Sequence, residues 1–346
     1  IRDRRMALSA FASFPGLRSW CESGKPAEIS LMTGANITLH SRNGQLSLTG
    51  YCQTEPMNMP VRPKTGKLSG DFRRSWRGVD YFGEFAWDFS GKSPGAILGA
   101  VFPLGGDWKL SSAVHSYSSS FGSDYTGGIR GWTKTSDEHG ATVGLEKAGA
   151  FLTADFAVKD RDRSKRQVRV LFKLPLQLTG TSVLSIRITE RFRPYEEVLR
   201  YRTGARCDLD WSSSGLSARY GPSDKPAWKI RGRLEGLLCR SLAGLAYLEG
   251  GRKTDWFSAY LRGTIFIVDN WDDRIYSYER DAPGNFTVPA YYGRGWSLSA
   301  VSGCKLRLGR GRALKLYFRA STMAYSFMKE PKPSVSEAKA QAVVMF

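Results

Sequence analysis

Catalysis in this chain would depend on His40, His115 and His139, the only residues whose unperturbed pKa lies close to neutrality. Of these, His115 has serines around it, namely Ser111, Ser112, Ser116 and Ser118. A serine becomes nucleophilic when a histidine accepts its proton and an acid orients that histidine. Serine is common throughout this region, and the sequence spaces no acidic partner for the pair. We therefore expect no catalytic residues and a protein that is not an enzyme.

Metal and phosphate sites are not predicted either. The five cysteines are odd in number, widely spaced and without a C-x-x-C pair, which excludes a zinc site and a full disulfide framework. The run 309–312, Gly-Arg-Gly-Arg, has the composition of a phosphate loop. It lacks the lysine pattern and the strand–loop–helix context of a P-loop, so a basic hairpin turn is the better interpretation. We expect no cofactor and no metal.

Alternation of apolar and polar residues predicts β-strands along most of the chain. Trp228, Ile230 and Leu234 alternate with basic residues, and a period of two places such a set on one face of a strand. The same pattern covers 46–52, 79–89, 108–114, 152–158, 168–174, 184–188, 257–267, 296–307 and 314–321. The dipeptide Asn43-Gly44 predicts a two-residue hairpin turn, and the proline-containing stretch 53–76 is interpreted as a long loop.

The apolar faces of these strands have nothing in the sequence to cover them. No helical segment is long enough to shield a sheet, and no run approaches the ~18 apolar residues of a membrane helix. Lipid would bury such faces. We therefore predict an all-β fold, an antiparallel transmembrane outer-membrane β-barrel of about 16 strands (range 14–18). It would span residues 27–346, after an amino-terminal segment 1–26 that is the remainder of a longer precursor.

The carboxyl-terminal residues indicate how such a barrel would be oriented. Ala342, Val344 and Phe346 continue an apolar face to the last residue, which is typical of the closing strand and assembly signal of outer-membrane barrels. Counting back from this end, the connections are long (about 326–336), short (309–312) and long (269–293). Outer-membrane barrels have short periplasmic turns and long extracellular loops. The order therefore predicts a periplasmic carboxyl terminus in the cell outer membrane.

Basic residues dominate the polar faces of the predicted strands. The chain has 51 Lys+Arg and 32 Asp+Glu, a formal net charge of +19. With the apolar faces toward lipid, the lumen would contain Arg169, Lys173, Arg187, Lys229, Arg231, Arg233, Arg262, Lys305, Arg307, Lys315 and Arg319. Few acids join them, namely Glu84, Asp88, Asp155 and Glu235. These basic residues are candidates either for binding anions or for pairing across a rigid wall.

Two stretches carry a family resemblance. Residues 273–280 (Asp-Arg-Ile-Tyr-Ser-Tyr-Glu-Arg) and 288–295 (Val-Pro-Ala-Tyr-Tyr-Gly-Arg-Gly), with a weaker match at Tyr81-Phe82-Gly83-Glu84 and Gly91, resemble Bacteroidota outer-membrane barrels described as helix-hairpin-helix domain-containing. The resemblance implies a β-barrel in the outer membrane and no established activity. The helix-hairpin-helix segment of that family is not found in this chain.

Three functions are consistent with these features. The first, which we favour, is a structural or accessory subunit of a larger outer-membrane assembly. The alternatives are an anion-selective channel or translocation conduit, and a lipid-modifying or proteolytic barrel enzyme. The expected partners are outer-membrane lipid, lipopolysaccharide and other outer-membrane or periplasmic proteins. The positive charge is also compatible with nucleic acid, but no motif supports that partner.

Overall fold

The computed structural model describes residues 6–13, 31–54, 63–122, 128–132, 134–197, 199–213, 227–309, 312–326 and 332–345. The chain divides into two compact units. The first comprises Ile1–Val170 and Arg193–Tyr195, and the second comprises Leu171–Phe192 and Glu196–Phe346. Among the residues described, no helix is long and apolar enough to cross a membrane.

The first unit is built from antiparallel strands that follow one another in chain order. They are β1 (Met6–Ser13), β2 (Leu31–Ser41), β3 (Gly44–Thr54), β4 (Pro63–Trp76), β5 (Val79–Asp88), β6 (Ser93–Gly105), β7 (Trp108–Tyr117), β8 (Glu138–Lys147) and β9 (Ala150–Val158). Each strand pairs with the next along the chain, from β1–β2 to β8–β9. The next strand, β10 (Arg166–Thr179), belongs to this unit up to Val170.

The second unit repeats this arrangement with longer strands. They are β11 (Ser182–Phe192), β12 (Tyr201–Ser212), β13 (Ala227–Leu238), β14 (Leu242–Lys253), β15 (Phe257–Val268), β16 (Ile275–Tyr276), β17 (Ala290–Tyr291), β18 (Gly293–Gly309), β19 (Arg312–Tyr325) and β20 (Lys332–Met345). The order of pairing is β11-β12-β13-β14-β15-β18-β19-β20, all antiparallel. The short β16 and β17 pair only with each other.

Apolar side chains are exposed along one face of these strands, as the alternation predicts. On β13, Trp228 and Leu234 are 55% and 65% exposed, and on β15 Leu261 and Ile265 are 55% and 60% exposed. The opposite face of β15 is buried from Arg262 to Val268 at every second residue. We name these the outer and inner faces. Many large apolar side chains of these strands therefore lie exposed on the outer face.

Connections alternate between short and long at the two ends of the first unit. The pairs β2–β3, β4–β5, β6–β7 and β8–β9 are joined by two-residue turns at 42–43, 77–78, 106–107 and 148–149. At the other end, the connections between strands include 118–137 and 159–165. We call these the turn end and the loop end. In the second unit, 254–256 and 310–311 are likewise short, whereas 269–292 between β15 and β18 is long.

Several expectations need correction. Residues 63–76 form the 14-residue strand β4, not a loop. Its apolar side chains recur only at every fourth position, Leu68, Phe72 and Trp76, so the alternation was hidden. The hairpin turn lies at 42–43, one residue before the predicted Asn43-Gly44, because Ser41 pairs with Gly44.

Strand number and starting point also differ from expectation. The described residues contain 18 long strands, at the upper limit of the predicted range instead of about 16. Among the described residues, strand pairing already includes Met6–Ser13, since β1 pairs with β2 over its full length, ahead of the expected boundary at residue 27.

The β1–β2 register can be tested by cross-linking. Leu8 lies directly opposite Ile37, and opposite residues on one face have Cβ atoms about 4.5–5.5 Å apart. In a cysteine-free background, Leu8→Cys with Ile37→Cys should oxidise to a disulfide, detected by peptide mass spectrometry. Leu8→Cys with Thr38→Cys is the matched control, because a one-residue shift moves the second thiol to the other face. Equal cross-linking in both pairs would contradict this register.

Candidate functional site

The inner face of the second unit is covered by the connection between β15 and β18. We call residues 269–292 the inserted segment. It contains one 3-10 turn, Trp271–Asp273, and a narrow hairpin in which β16 pairs with β17 and Glu279 bridges to Thr287. Asp273 and Tyr291 are 0% exposed, which is unusual for residues of a connection. The segment is therefore packed against the strands and forms part of the unit's core.

Apolar contacts hold the base of the inserted segment. Ile275 and Tyr291 pack with Phe266 and Val268 of β15, and with Leu245 and two further core residues of β13 and β14. The ring of Tyr291 lies 5.2 Å from that of Phe266, within the range of favourable aromatic pairs. These side chains form the principal buried apolar cluster of the described part of the second unit.

Arg262 is an inner-face residue enclosed by the segment. It is 3% exposed, and its Nη1 and Nη2 each donate a 2.7 Å hydrogen bond, to the Tyr278 carbonyl and to Ser277 Oγ. Its guanidinium also lies 3.6 Å from the ring centroid of Tyr247, over whose ring Arg233 is placed at 5.3 Å. Buried charges require such partners. The guanidinium is satisfied by neutral acceptors of the segment and by an aromatic ring.

Arg319 on β19 forms a buried ion pair with the segment. Its Nη2 lies 2.7 Å from Glu279 Oε2, and the two side chains are 3% and 4% exposed. Its Nη1 lies 2.6 Å from Glu337 of β20, whose side chain is 46% exposed. Tyr291 donates a hydrogen bond to the other Glu279 oxygen at 2.5 Å. A buried carboxylate of the inserted segment is thus shared by an arginine and a tyrosine.

Further contacts fix the beginning and the middle of the segment. Arg280 Nε donates to Glu249 of β14 at 2.6 Å. Asp273 accepts hydrogen bonds from the backbone N–H groups of Arg240 and Ser241, both at 2.9 Å. These bonds join the segment to the β13–β14 turn and to the middle of β14.

Ionisation in the inserted segment is shifted by these surroundings. Burial raises the pKa of Tyr291 to about 12, and the negative charge of Glu279 adds to this effect. Although burial alone would raise it, the pKa of Asp281 is lowered, since it accepts hydrogen bonds from Thr287 and from the Ala282 N–H and lies near Lys339. Tyr291 therefore remains a hydrogen-bond donor to Glu279 at neutral pH.

Other predicted inner-face residues find acids on a neighbouring strand. Arg231 Nε lies 3.0 Å from Asp210, and Arg233 Nε lies 2.7 Å from Asp208. These acids are on β12, directly opposite their partners in the register. In the first unit Arg169 pairs with Asp155 at 2.7 Å.

Several of these acids were not predicted from the sequence. The predicted acidic set lacks Asp208, Asp210, Glu249 and Glu279 because β12, β14 and the inserted segment were not assigned. The pattern in 201–212, with Arg206, Asp208 and Asp210 at alternate positions, was the signal that could have found the first two.

A smaller group of inner-face basic residues lacks such pairing. Lys229, Lys305, Arg307 and Lys315 form no ion pair with any residue of the described ranges. Lys305 lies directly opposite Lys315 in the β18–β19 register. Both lie a few residues from the short connection 310–311. Lys173 and Arg187 do not belong to this group, because both have a partner, and they are half-buried on their strands.

The proposed assembly residues lie on β20. Ala342 and Val344 are exposed on its outer face, opposite Leu316 and Leu314 of β19. Phe346 lies outside the described residues.

His115 does not pair with any of the serines that drew attention to it. Its Nε2 lies 2.8 Å from Glu138 Oε1, and both side chains are almost completely buried. Glu138 also accepts the backbone N–H groups of Gly131 and Trp132, at 2.5 and 3.2 Å. This pair fastens the connection 118–137 to the inner face of the first unit.

Metal ligands and disulfides do not stand out in the described ranges. No group of three or more His, Cys, Asp or Glu side chains there is arranged to hold a metal ion. Cys52, Cys207, Cys239 and Cys304 are free, and Cys21 lies outside these ranges.

Comparisons with known proteins add little. No protein-family model matches the sequence, and no curated protein matches it. Among solved structures, the chain is similar to the crystal structure of Pseudomonas aeruginosa OccK5 (OpdH), with a TM-score of 0.41 and 9% identity over 99% of this chain and 96% of that chain. We base no argument on a likeness of this size.

The two carboxylates bound to Arg319 should differ greatly in their contribution to stability. Glu279→Gln leaves the buried guanidinium with one exposed partner, and we expect the free energy of unfolding to fall by about 3–5 kcal/mol. Glu337→Gln is the matched control and should cost about 0–1 kcal/mol, because solvent screens this exposed pair. Urea unfolding in detergent micelles measures both. Equal losses would show that the inserted segment is not held by Glu279.

Proposed function

We propose that the chain is an outer-membrane β-barrel whose lumen is narrowed and braced by the inserted segment, and that it acts as a structural or accessory subunit of a larger assembly. The exposed outer face supports the membrane location. Leu234, Leu248 and Ile265 are each at least 60% exposed, and an apolar surface of this extent is costly in water. Lipid around the outer face would remove that cost, and the hydrogen bonds between paired strands would satisfy the backbone N–H and C=O groups. The carboxyl terminus would then be periplasmic.

The pairing of Arg319 with Glu279 is the observation that favours a braced wall over an open pore. An open anion channel requires basic side chains that face water. Here Arg262 and Arg319 are 3% exposed and bind the inserted segment, and Arg231 and Arg233 pair with carboxylates of β12. The central basic residues are thus used for structure.

Membership of the Bacteroidota helix-hairpin-helix family remains a proposal. It is supported by the resemblance at 273–280 and 288–295, most of which lies within the inserted segment. If the membership holds, most of the residues that carry the resemblance belong to the segment that packs against the inner face of the strands. The proposed partners are lipid, lipopolysaccharide and neighbouring outer-membrane or periplasmic proteins.

The facing toward lipid can be tested with introduced charges. Leu234→Arg and Leu316→Arg place a cation on the outer face and should each destabilise the folded protein in lipid vesicles, by roughly 2–4 kcal/mol at the membrane midplane. Tyr317→Arg, next to Leu316 but on the inner face, is the control and should cost less. Equal losses at all three sites would contradict the proposed facing.

The accessory role can be tested by purification. After gentle solubilisation of native membranes, a tagged chain should retain a companion protein at a fixed stoichiometry through size-exclusion chromatography. Glu337→Gln serves as a folded control that should retain the same companion. Recovery of the chain alone from membranes in which it is natively expressed would contradict the accessory role.

A second candidate, an anion channel, is favoured by Lys305 and Lys315, which have no ion-pair partner among the described residues and lie near the 310–311 connection. In planar bilayers under a salt gradient, the reversal potential of an anion channel would show that anions permeate in preference to cations. The double substitution Lys305→Glu with Lys315→Glu should weaken this selectivity. Leu314→Val, on the outer face of β19, is the control. Absence of conductance, or a selectivity unaffected by the double substitution, would exclude this candidate.

A further inference from the structure

A second histidine of the first unit has, besides an acid, the serine partner that His115 lacks. Ser116 Oγ lies 2.9 Å from His139 Nδ1, and His139 Nε2 lies 3.0 Å from Asp160 Oδ1. Ser116 is exposed, and the side chains of His139 and Asp160 are 36% and 28% exposed. The three residues therefore form a chain of hydrogen bonds, serine to histidine to aspartate, that is open to solvent or lipid.

Strand register explains this arrangement. Ser116 on β7 and His139 on β8 are directly opposite each other, and His139 is opposite Val158 of β9. Asp160 follows two residues after Val158 and reaches back to the histidine. Such cross-strand neighbours are close in space although 23 and 21 residues apart in sequence.

The acid determines which ring nitrogen faces the serine. Asp160 also accepts the backbone N–H of Ser119 at 2.8 Å, which fixes its carboxylate. The hydrogen bond from His139, followed by that of Ser119, lowers the pKa of Asp160, so it is ionised at neutral pH. The ionised carboxylate accepts a hydrogen bond from the N–H at Nε2 of His139. In the neutral imidazole Nδ1 then carries no proton, so it can accept the hydroxyl proton of Ser116.

The surroundings indicate where a substrate would come from. One row further along the same outer face are Val114, Ala141 and Phe156, which are in register with one another. Val114 and Phe156 are 53% and 46% exposed. Two residues along a strand span roughly 7 Å, so the polar row stands immediately beside an apolar one at the loop end. Esters of membrane lipids place a polar carbonyl next to acyl chains in the same way.

We propose that Ser116, His139 and Asp160 form a hydrolytic site on the outer face, at the edge of the membrane, that cleaves carboxylic esters of lipids. Ser116 and His139 are the catalytic residues, and Asp160 is a positioning residue. This inference goes beyond the accessory role and replaces the expectation that the chain has no catalytic activity. It uses the outer face, whereas the accessory role depends on the inner face and the inserted segment.

The reaction needs no cofactor. Ser116 Oγ attacks the ester carbonyl carbon while its proton passes to His139 Nδ1, giving a tetrahedral adduct. The adduct collapses by breaking the bond between the carbonyl carbon and the alkoxy oxygen, and His139 returns the proton to the departing alcohol. A water molecule then attacks the acyl-serine, again through His139, and the carboxylic acid leaves as Ser116 is regenerated.

Active-site labelling tests the nucleophile. The full chain in detergent micelles, treated with a fluorophosphonate probe, should be labelled at Ser116, as located by peptide mass spectrometry. Ser116→Ala should abolish labelling and His139→Ala should reduce it strongly. Ser112→Ala, four residues earlier on the same outer face, is the matched control and should label as the parent chain does. Resistance to unfolding on unheated gels verifies that each variant is folded. Labelling that persists in Ser116→Ala would overturn the site.

Hydrolysis tests the substrate class. Release of fatty acid from phosphatidylethanolamine vesicles and hydrolysis of p-nitrophenyl butyrate should both fall by about 10²–10⁴-fold in His139→Ala. Asp160→Ala should lower kcat with KM unchanged, and Asp160→Glu should restore part of the loss. Cleavage of the soluble ester alone would overturn the lipid substrate, and cleavage of neither would overturn the site. Because both assays use the isolated chain, they are independent of the co-purification result.

Discussion

The inner face of the second unit depends on one buried ion pair, that between Arg319 and Glu279. Both side chains are almost fully withdrawn from solvent, and each would be costly to bury alone. The pair is stable only because the inserted segment brings Glu279 to β19 and because Tyr291 donates to the same carboxylate. The position of the segment and the ionisation of the wall are therefore coupled. The neighbouring Arg262, bound to Ser277 and to the Tyr278 carbonyl, extends the same attachment to β15.

This coupling follows from the way the strands divide their residues. The outer face takes the large apolar side chains, so the inner face receives charges that no apolar core can accept. Two local solutions are visible. Arg231 and Arg233 find carboxylates directly opposite them on β12, and Arg262 and Arg319 find partners on the inserted segment. Near the 310–311 connection Lys305 and Lys315 lie opposite each other without an ion-pair partner among the described residues, and there an anion would find positive charge.

Period-two alternation predicted the strands and their facing wherever it was strong. On β13 and β15 it correctly separated Leu234 and Leu261 from Arg233 and Arg262. It failed on β4, where glycine, serine and threonine occupy many positions, and on β14, where Leu242 and Leu245 place apolar residues on both faces. The position and facing of these strands are determined by pairing with the neighbouring strands. The alternation of residues within a single strand carries no information about that pairing.

The contacts of the inserted segment and of His139 were less predictable, because they join residues that are far apart in sequence. Glu279 lies 40 residues from Arg319, and nothing in either stretch indicates that the connection folds back onto the strands. The same holds for His139. Its serine is 23 residues before it and its aspartate 21 residues after it, so only the register of β7, β8 and β9 reveals them. The serines around His115 on β7 drew attention to that histidine, whereas the serine–histidine–aspartate arrangement is formed by His139 on the neighbouring strand β8.

The central claim is that the outer face meets lipid while the inserted segment covers the inner face. Nitroxide labels placed singly along β13, from Trp228 to Leu238, in a cysteine-free background in lipid vesicles would test it most directly. We expect the nitroxide to collide with dissolved oxygen frequently at the even-numbered positions and rarely at the odd-numbered ones. A water-soluble nickel complex should reach Lys229 but not Arg233, which contacts Ser277 of the segment. Uniform accessibility along the strand, or nickel access at the even-numbered positions, would contradict the account.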